Sequence, residues 1–391
     1  MKAITRRLGL KCNRCGNKDR MYFAKTKCQC NTGVYCRKCV SLGKLSCCEE
    51  IPVNSLVFNR ETPELALSYP LTKLQKEGAD FLVKSYRQQR SSLLVAVCGA
   101  GKTEMIYKVI MEALNDNKNV CIAIPRVEVV KEIASRVKKD LQVNVTALYG
   151  GSKDPKEATL FVATCNQLLK YPKVFDLIIL DEADAFPYST SKELKYGLKN
   201  ALTDKGILVT MTATPSFVEK LLNYRKHRIR SRYHRFKIVE PVIEVHANQM
   251  AYLDNYVERA KFSIVYVDSI RMLNQLEDKY SQKFLYLSSK SINKDETLKR
   301  FKKKESKVLF STTILERGLT FEGLNVLVVH AENKVFTIST MIQIAGRVGR
   351  KMSNPYGEVI FLCHKLMIKH VIAKSIIKVD NIISKLRGDI Y

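Results

Sequence analysis

The stretch Ala96-Val97-Cys98-Gly99-Ala100-Gly101-Lys102-Thr103 decides how this chain is read. It follows an apolar run at 93–97 and leads into a helix-like segment at 104–114. A strand, a Gly-rich turn and a helix in that order form the context in which such a loop cradles phosphate. Gly99 and Gly101 free the backbone to turn its N–H groups toward a β-phosphate, and the positive end of the new helix adds to the field. Lys102 is placed to reach the β- and γ-phosphates, and the Thr103 hydroxyl to meet magnesium. Ala100 and Glu104 complete the set of expected nucleotide contacts. Alone, the pattern also describes a Gly-rich turn before an ordinary helix. The segments downstream separate the two.

At 391 residues and 46% hydrophobic content, the chain has room for two or three domains with real cores. It contains no run of 18 apolar residues, and its start lacks the charged and apolar regions of a signal peptide. The expected setting is therefore cytoplasmic, with any attachment to the inner face of the cell membrane peripheral. The formal charge of +28 favours a polyanionic partner, most often nucleic acid, although a basic composition serves solubility too.

Eight of the twelve cysteines lie between Cys12 and Cys48. Cys12-x2-Cys15 and Cys36-x2-Cys39 are two knuckles separated by twenty residues, a spacing that offers four thiolates to one tetrahedral zinc. Cys28, Cys30, Cys47 and Cys48 are left for a second, interleaved site, which is the weaker expectation because adjacent cysteines tend to point apart. A cluster of this kind on an otherwise cysteine-poor chain argues for metal over a disulfide scaffold. Residues 1–60 carry thirteen Lys or Arg against three acidic residues, which suits a basic zinc module at 1–50. Removing the metal is expected to damage that module and leave the rest folded.

A connector follows, and then a helix start near Gln75, about twenty-five residues before the phosphate loop. The Gln75 amide can donate and accept at once, as an adenine edge requires. Apolar strands then alternate with polar helices, the rhythm of a doubly wound parallel sheet. Strands are expected at 119–124, 141–149, 160–163, 175–180 and 207–209, with a helix at 129–138. The strand at 175–180 runs straight into Asp181-Glu182-Ala183-Asp184. Carboxylates at the end of an apolar strand are costly unless a cation needs them. Asp181 is read as the magnesium partner and Glu182 as the group that polarises the attacking water. After the next strand come Thr212-Ala213-Thr214, hydroxyls able to link a nucleotide site to a neighbouring lobe.

Between Arg225 and Lys237 stand seven Lys or Arg, two His and no acid, read as a basic linker at 223–239. Alternation resumes beyond it, with strands at 262–267, 283–287, 308–310 and 326–330 and a basic helix at 296–304. Thr313 suits a contact with a phosphate backbone, Glu316 and Arg317 suit coupling, and Gly318 suits a nucleotide contact. Last comes Gln343-Ile344-Ala345-Gly346-Arg347-Val348-Gly349-Arg350. The spacing predicts one helix face carrying Arg347 and Arg350, from which both reach a γ-phosphate on lobe closure. Gln343 is counted with them among the catalytic residues.

The phosphate loop, the Asp181–Asp184 tetrad, Thr212–Thr214 and the paired arginines, in this order, resemble the superfamily 2 helicases and translocases over nearly the whole chain. The resemblance implies two RecA-like α/β lobes, 51–222 and 240–391, behind the zinc module. It matches Gln75 to the adenine-reading glutamine, and Arg126 and Thr164 to contacts with the nucleic-acid backbone. Within that superfamily the chain is most similar to the bacterial late-competence DNA-uptake ATPases (ComFA-like). The features are the cysteine module ending Tyr35-Cys36-Arg37-Lys38-Cys39-Val40-Ser41-Leu42-Gly43, the loop Gly99-Ala100-Gly101-Lys102-Thr103-Glu104, and a chain that stops soon after the second lobe. Eight cysteines in place of a minimum of four mean that a single zinc should not be assumed.

That similarity implies ATP, Mg2+ and Zn2+ as cofactors and an ATP-driven motor on single-stranded DNA that helps bring transforming DNA into the cytoplasm. It also implies a phosphoribosyltransferase-like competence protein, a recombination mediator and the membrane DNA channel as partners. A duplex-unwinding helicase of replication restart or repair is the alternative, since motor motifs do not specify a strand-separating wedge. A scaffold with ATP as a switch is the weaker one, because Lys102, Asp181, Glu182, Arg347 and Arg350 occur together.

Overall fold

The computed structural model describes residues 1–6, 9–30, 33–52, 56–152, 157–216, 219, 221–313 and 321–391. Two compact units emerge, Met1–Val95 with Lys102–Arg228, and Ala96–Gly101 with Ile229–Tyr391.

The larger sheet has seven strands in the order Arg225–Ile229, Ser92–Ala96, Leu202–Thr212, Phe175–Leu180, Val120–Ile124, Leu160–Thr164 and Val145–Leu148. From Ser92–Ala96 onward every neighbouring pair is parallel. The strands Ser92–Ala96, Val120–Ile124 and Leu160–Thr164 are buried at every residue, as strands covered on both faces must be. The covering helices are amphipathic. Val127–Leu141, for example, buries Val130, Ile133, Ala134, Val137 and Leu141 at helical spacing.

Register then brings the chemistry to one edge. Leu180 lies opposite both Ala123 and Thr210, Thr212 opposite Val95, and Thr164 opposite Ile124. Asp181, Thr212, Thr164 and Arg126 therefore share the carboxyl ends of the strands, where open α/β sheets bind ligands.

The expected strand at 141–149 is shorter than read. Helix Val127–Leu141 takes its first residue, Gln142 turns the chain at φ 54°, and the strand is Val145–Leu148. The stretch read as a basic linker contains the edge strand Arg225–Ile229, a structured piece that its charge concealed.

The cysteine module is built on two short antiparallel pairs, Ile4–Thr5 with Lys11–Cys12 and Phe23–Lys25 with Val34–Cys36. It does not stand apart. Cys12, Cys15, Cys36 and Cys39 share one apolar core with Phe161, Leu169, Phe175 and Leu198 of the large sheet and its helices. Lys38 pairs with Glu193 at 2.5 Å, and Lys11 lies 5.6 Å from the ring of Tyr196, both on helix Lys192–Ala201. Gly16 (φ 74°) packs so closely on Tyr196 that a Cβ there would come within 2.6 Å of the ring. The module therefore packs on the lobe through a shared core.

The second unit holds a six-stranded sheet, ordered Val242–Val245, Val359–Cys363, Asn325–Val328, Ser263–Tyr266, Val308–Ser311 and Leu285–Leu287, parallel throughout. The strand read at 326–330 ends earlier, because His330 adopts φ 52°. Helix Ile368–Leu386 packs on helix Ile338–Ala345, which places the chain's tail on this unit.

Candidate active site and metal centres

Gly99 and Gly101 flank the loop tip with φ of 84° and 81°, and Lys102 opens helix Lys102–Asn115. Only residues without a Cβ take both conformations at little cost, so the loop is shaped as a phosphate cradle. These residues fit a nucleotide. The Glu104 carboxylate turns away to other partners, the Arg136 guanidinium and the Tyr69 hydroxyl at 2.8 Å. It joins helix Lys102–Asn115 to helix Val127–Leu141. Gln75 is buried, and its side chain works in a capping box: Thr72 N donates to Gln75 Oε1 at 2.9 Å and Gln75 N to Thr72 Oγ1 at 3.4 Å.

Asp181 is 9% exposed, and its Oδ1 accepts from the backbone N–H of Glu182 at 2.8 Å. Glu182 takes a left-handed backbone conformation, φ 54°, directly after the strand. A non-glycine residue there costs about 1 kcal/mol or more, and such strain gathers at functional turns. Two residues on, Asp184 accepts from the Thr212 hydroxyl at 2.8 Å and from the Thr214 hydroxyl at 2.7 Å. Asp184 was not singled out by the sequence reading. Its signal was available, because two threonines ending the neighbouring strand need an acceptor. Of the expected backbone contacts, Arg126 caps helix Val127–Leu141, Thr164 is 5% exposed, and Thr313 is half-buried. Glu316, Arg317 and Gly318 lie outside the described residues.

In the second unit the expected shared helix face is not formed. Helix Ile338–Ala345 ends at Gly346, and Arg347 and Arg350 follow in a turn that Gly349 completes at φ 64°. A Cβ on Gly349 would come within 2.1 Å of the Pro355 carbonyl oxygen, so the turn admits glycine alone. Arg347 is 1% exposed and Arg350 half-buried, with Arg350 Nε donating to the Gly346 carbonyl at 2.9 Å. Gln343 Oε1 accepts from the Cys98 thiol at 2.8 Å inside this same unit.

The basic segment supplies the brace for this turn. Arg232, fully buried, donates from Nη1 to the carbonyls of Val348 (2.8 Å) and Gly349 (2.6 Å), and from Nη2 to that of Gly346 (3.1 Å). Burial, and then the charge of Arg350, push its guanidinium down to about 10, so it remains a cation at neutral pH. His234 Nδ1 accepts from Phe236 N at 3.1 Å, which puts the proton on Nε2, 3.1 Å from the Gly349 carbonyl. Burial first, and the charge of Arg232 next, hold this imidazole below its ordinary range. The run read as a basic linker therefore includes two buried braces.

Both cysteine quartets assemble. Within each, Cys12, Cys15, Cys36 and Cys39, and Cys28, Cys30, Cys47 and Cys48, the sulfurs lie within 4.8 Å of one another. In the first, Cys12–Cys39 and Cys15–Cys36 are each 3.7 Å apart. Four sulfurs at about 2.3 Å from a tetrahedral zinc sit about 3.8 Å from each other, so the spacing fits a metal and is far too long for disulfides. Sulfur hydrogen bonds with Cys12 and Cys15 lower Cys36, while Cys15 is pushed up by Cys12 and Cys36. Neighbouring thiols cannot all ionise unaided, and a divalent cation is what removes that conflict. Arg14, buried, donates to Cys39 Sγ from Nε and Nη2, both at 3.2 Å, a charge-assisted support behind the ligand set. The second quartet is tighter, 3.1–3.8 Å among its recorded pairs, and half-exposed.

Two RecA-like parallel sheets, a glycine phosphate loop, a carboxylate turn braced by threonines and a buried arginine turn define a superfamily 2 helicase-type ATPase. Comparison with known proteins agrees. Residues 68–217 match the res subunit of type III restriction enzymes, residues 248–352 the helicase conserved C-terminal domain, and residues 1–53 the N-terminal domain of competence protein ComFA. The chain is 34% identical to competence protein ComFA of Bacillus subtilis, covering 90% of this chain and 81% of that protein. It is 32% identical to ComFA of Streptococcus pneumoniae, covering 84% and 81%. The chain belongs to the ComFA family.

Among solved structures, Saccharomyces cerevisiae Dbp5 bound to RNA and ADP BeF3 superposes with a TM-score of 0.62 at 18% identity, over 79% of this chain and 87% of that one. Mycobacterium smegmatis helicase Lhr bound to ssDNA and AMP-PNP gives 0.56 at 14%, over 82% and 50%. These likenesses concern the fold. No helix among the described residues is long and apolar enough to cross a membrane.

Proposed function

We propose that this chain is an ATP-dependent single-stranded DNA translocase that drives uptake of transforming DNA during natural competence. The observation that carries it is the joining of helicase-type ATPase domains to a cysteine module of the ComFA type on one strongly basic chain. The loop N–H groups and Lys102 would hold the nucleotide phosphates, and Thr103 and Asp181 would hold magnesium, which would neutralise phosphate charge. Glu182 orients the attacking water and accepts its proton as ATP becomes ADP and phosphate. Arg347 and Arg350 meet the charge that develops on the transferred group, and Gln343 supports their turn. Gln75 borders adenine, and Gly318 the nucleotide. Thr212, Thr214, Glu316 and Arg317 couple hydrolysis to movement, and Arg126, Thr164 and Thr313 touch the DNA backbone.

Zinc is the ion proposed for both quartets, in keeping with all-thiolate donors. The proposed partners are a phosphoribosyltransferase-like competence protein, a recombination mediator and the membrane DNA channel, met at the cytoplasmic face of the membrane. The testing experiment compares ATP hydrolysis without DNA, with a single strand and with blunt duplex. Strong stimulation by the single strand alone is expected. Equal stimulation by both supports the duplex-unwinding alternative in restart or repair.

A further inference from the structure

The segment after Arg232 carries rings as well as cations, and the ATPase chemistry uses none of those rings. Tyr233 meets His234 with centroids 5.0 Å apart, and His234 meets Phe236 at 5.6 Å. Phe236 in turn meets Tyr356 at 6.0 Å and Tyr391 at 5.8 Å. His234 is buried and Phe236 half-buried, while Tyr233, Tyr356 and Tyr391 are 42%, 71% and 70% exposed. Open rings set side by side offer a surface that a ligand can cover.

The rings are held from behind. Arg235 donates to the carbonyls of Gly388 (2.6 Å) and Asp389 (3.3 Å), and its own carbonyl accepts from Tyr391 N at 3.1 Å. Its guanidinium lies 4.7 Å from the centroid of the Tyr391 ring. These contacts fix Tyr391 beside Phe236 without covering its outer surface. Lys237 directly follows Phe236 in the chain and Lys351 precedes Tyr356, and both lysines are exposed.

Rings with cations beside them suit one ligand chemistry best. A nucleobase stacks on the ring while its phosphate meets the cation, and the arrangement tolerates any base because every base has a π-face. We propose that Tyr356 and Tyr391, with Arg235, form a base-stacking platform for single-stranded nucleic acid. The proposal rests on the single-strand reading above and adds a place where bases, as opposed to phosphates, are held.

The test measures affinity of the full chain for an oligothymidylate and for an abasic sugar-phosphate chain of equal length. Tyr356→Ala and Tyr391→Ala should each weaken the oligothymidylate by about 5- to 150-fold and leave the abasic chain unchanged. Tyr356→Phe and Tyr391→Phe, which keep the ring, should bind like the parent. Equal losses on both chains, or no loss on either, overturn the platform. Thymidine monophosphate competing as well as the oligomer would assign the rings to a free nucleotide and overturn it too. Failure of the unaltered protein to bind oligothymidylate would instead sink the single-strand reading itself.

Discussion

The Thr212 hydroxyl donates to Asp184 Oδ1 at 2.8 Å, tying the end of one core strand to the turn that follows its neighbour. Thr214 completes the clasp on Oδ2 at 2.7 Å. A hydrogen bond to a charged acceptor contributes about 1.5–3 kcal/mol, enough to make the two segments move together. The double change Thr212→Ala and Thr214→Ala is expected to leave ATP affinity near its original value while translocation falls much further than hydrolysis. Proportional loss of both would show that the clasp serves folding alone. The check is single-turnover hydrolysis measured beside stepping along DNA.

The carboxylate turn carries the second prediction. Glu182→Gln keeps the shape of the turn and removes the proton acceptor, so turnover should fall about 100- to 10,000-fold with ATP still bound. Arg347→Ala and Arg350→Ala should lose most turnover yet keep nucleotide better than Lys102→Ala does. Turnover near normal in the purified Glu182 variant would remove that residue from its role.

Metal content gives a third. Elemental analysis should find two zinc ions per chain, with one lost when Cys12 and Cys15 are both changed to Ser. Because the first quartet shares a core with the large sheet, its loss should also raise hydrogen exchange in helix Lys192–Ala201. Exchange confined to the first fifty residues would return the module to the independent status that the sequence suggested.

His234 makes the fourth prediction a matter of pH. Its folded imidazole titrates below the ordinary value of 6.5, so the unfolded chain binds more protons across the window beneath that value. The stabilisation is full above pH 6.5 and is lost as pH falls through the lowered folded value. The thermal midpoint should drop on acidification, and His234→Gln should flatten that limb of the curve. An unchanged slope in the variant would place the titration elsewhere.

Much of this was legible in the sequence, for identifiable reasons. Buried parallel strands are apolar on both faces, so 119–124, 160–163 and 175–180 could be read as strands directly. Cysteine spacing disclosed both quartets, since local turns bring knuckles together whatever the tertiary fold. What escaped depends on long-range partners or on single backbone angles. Arg232 and His234 look like surface charge until the carbonyls of Gly346 and Gly349 appear against them. The placement of Arg347 and Arg350 on one helix face failed because the helix stops at Ala345, and a turn completed by Gly349 follows. Asp184 gains its meaning only from a strand pairing that joins 175–180 to 202–212.

The most direct test of the translocase reading places a streptavidin block and a long duplex on the same single-stranded track, at matched ATP and salt. A motor gripping one strand by its backbone should clear the block quickly while opening the duplex poorly. It should do neither with Glu182→Gln. Rapid, processive unwinding of the long duplex without any partner protein would contradict the account and identify a duplex-opening helicase.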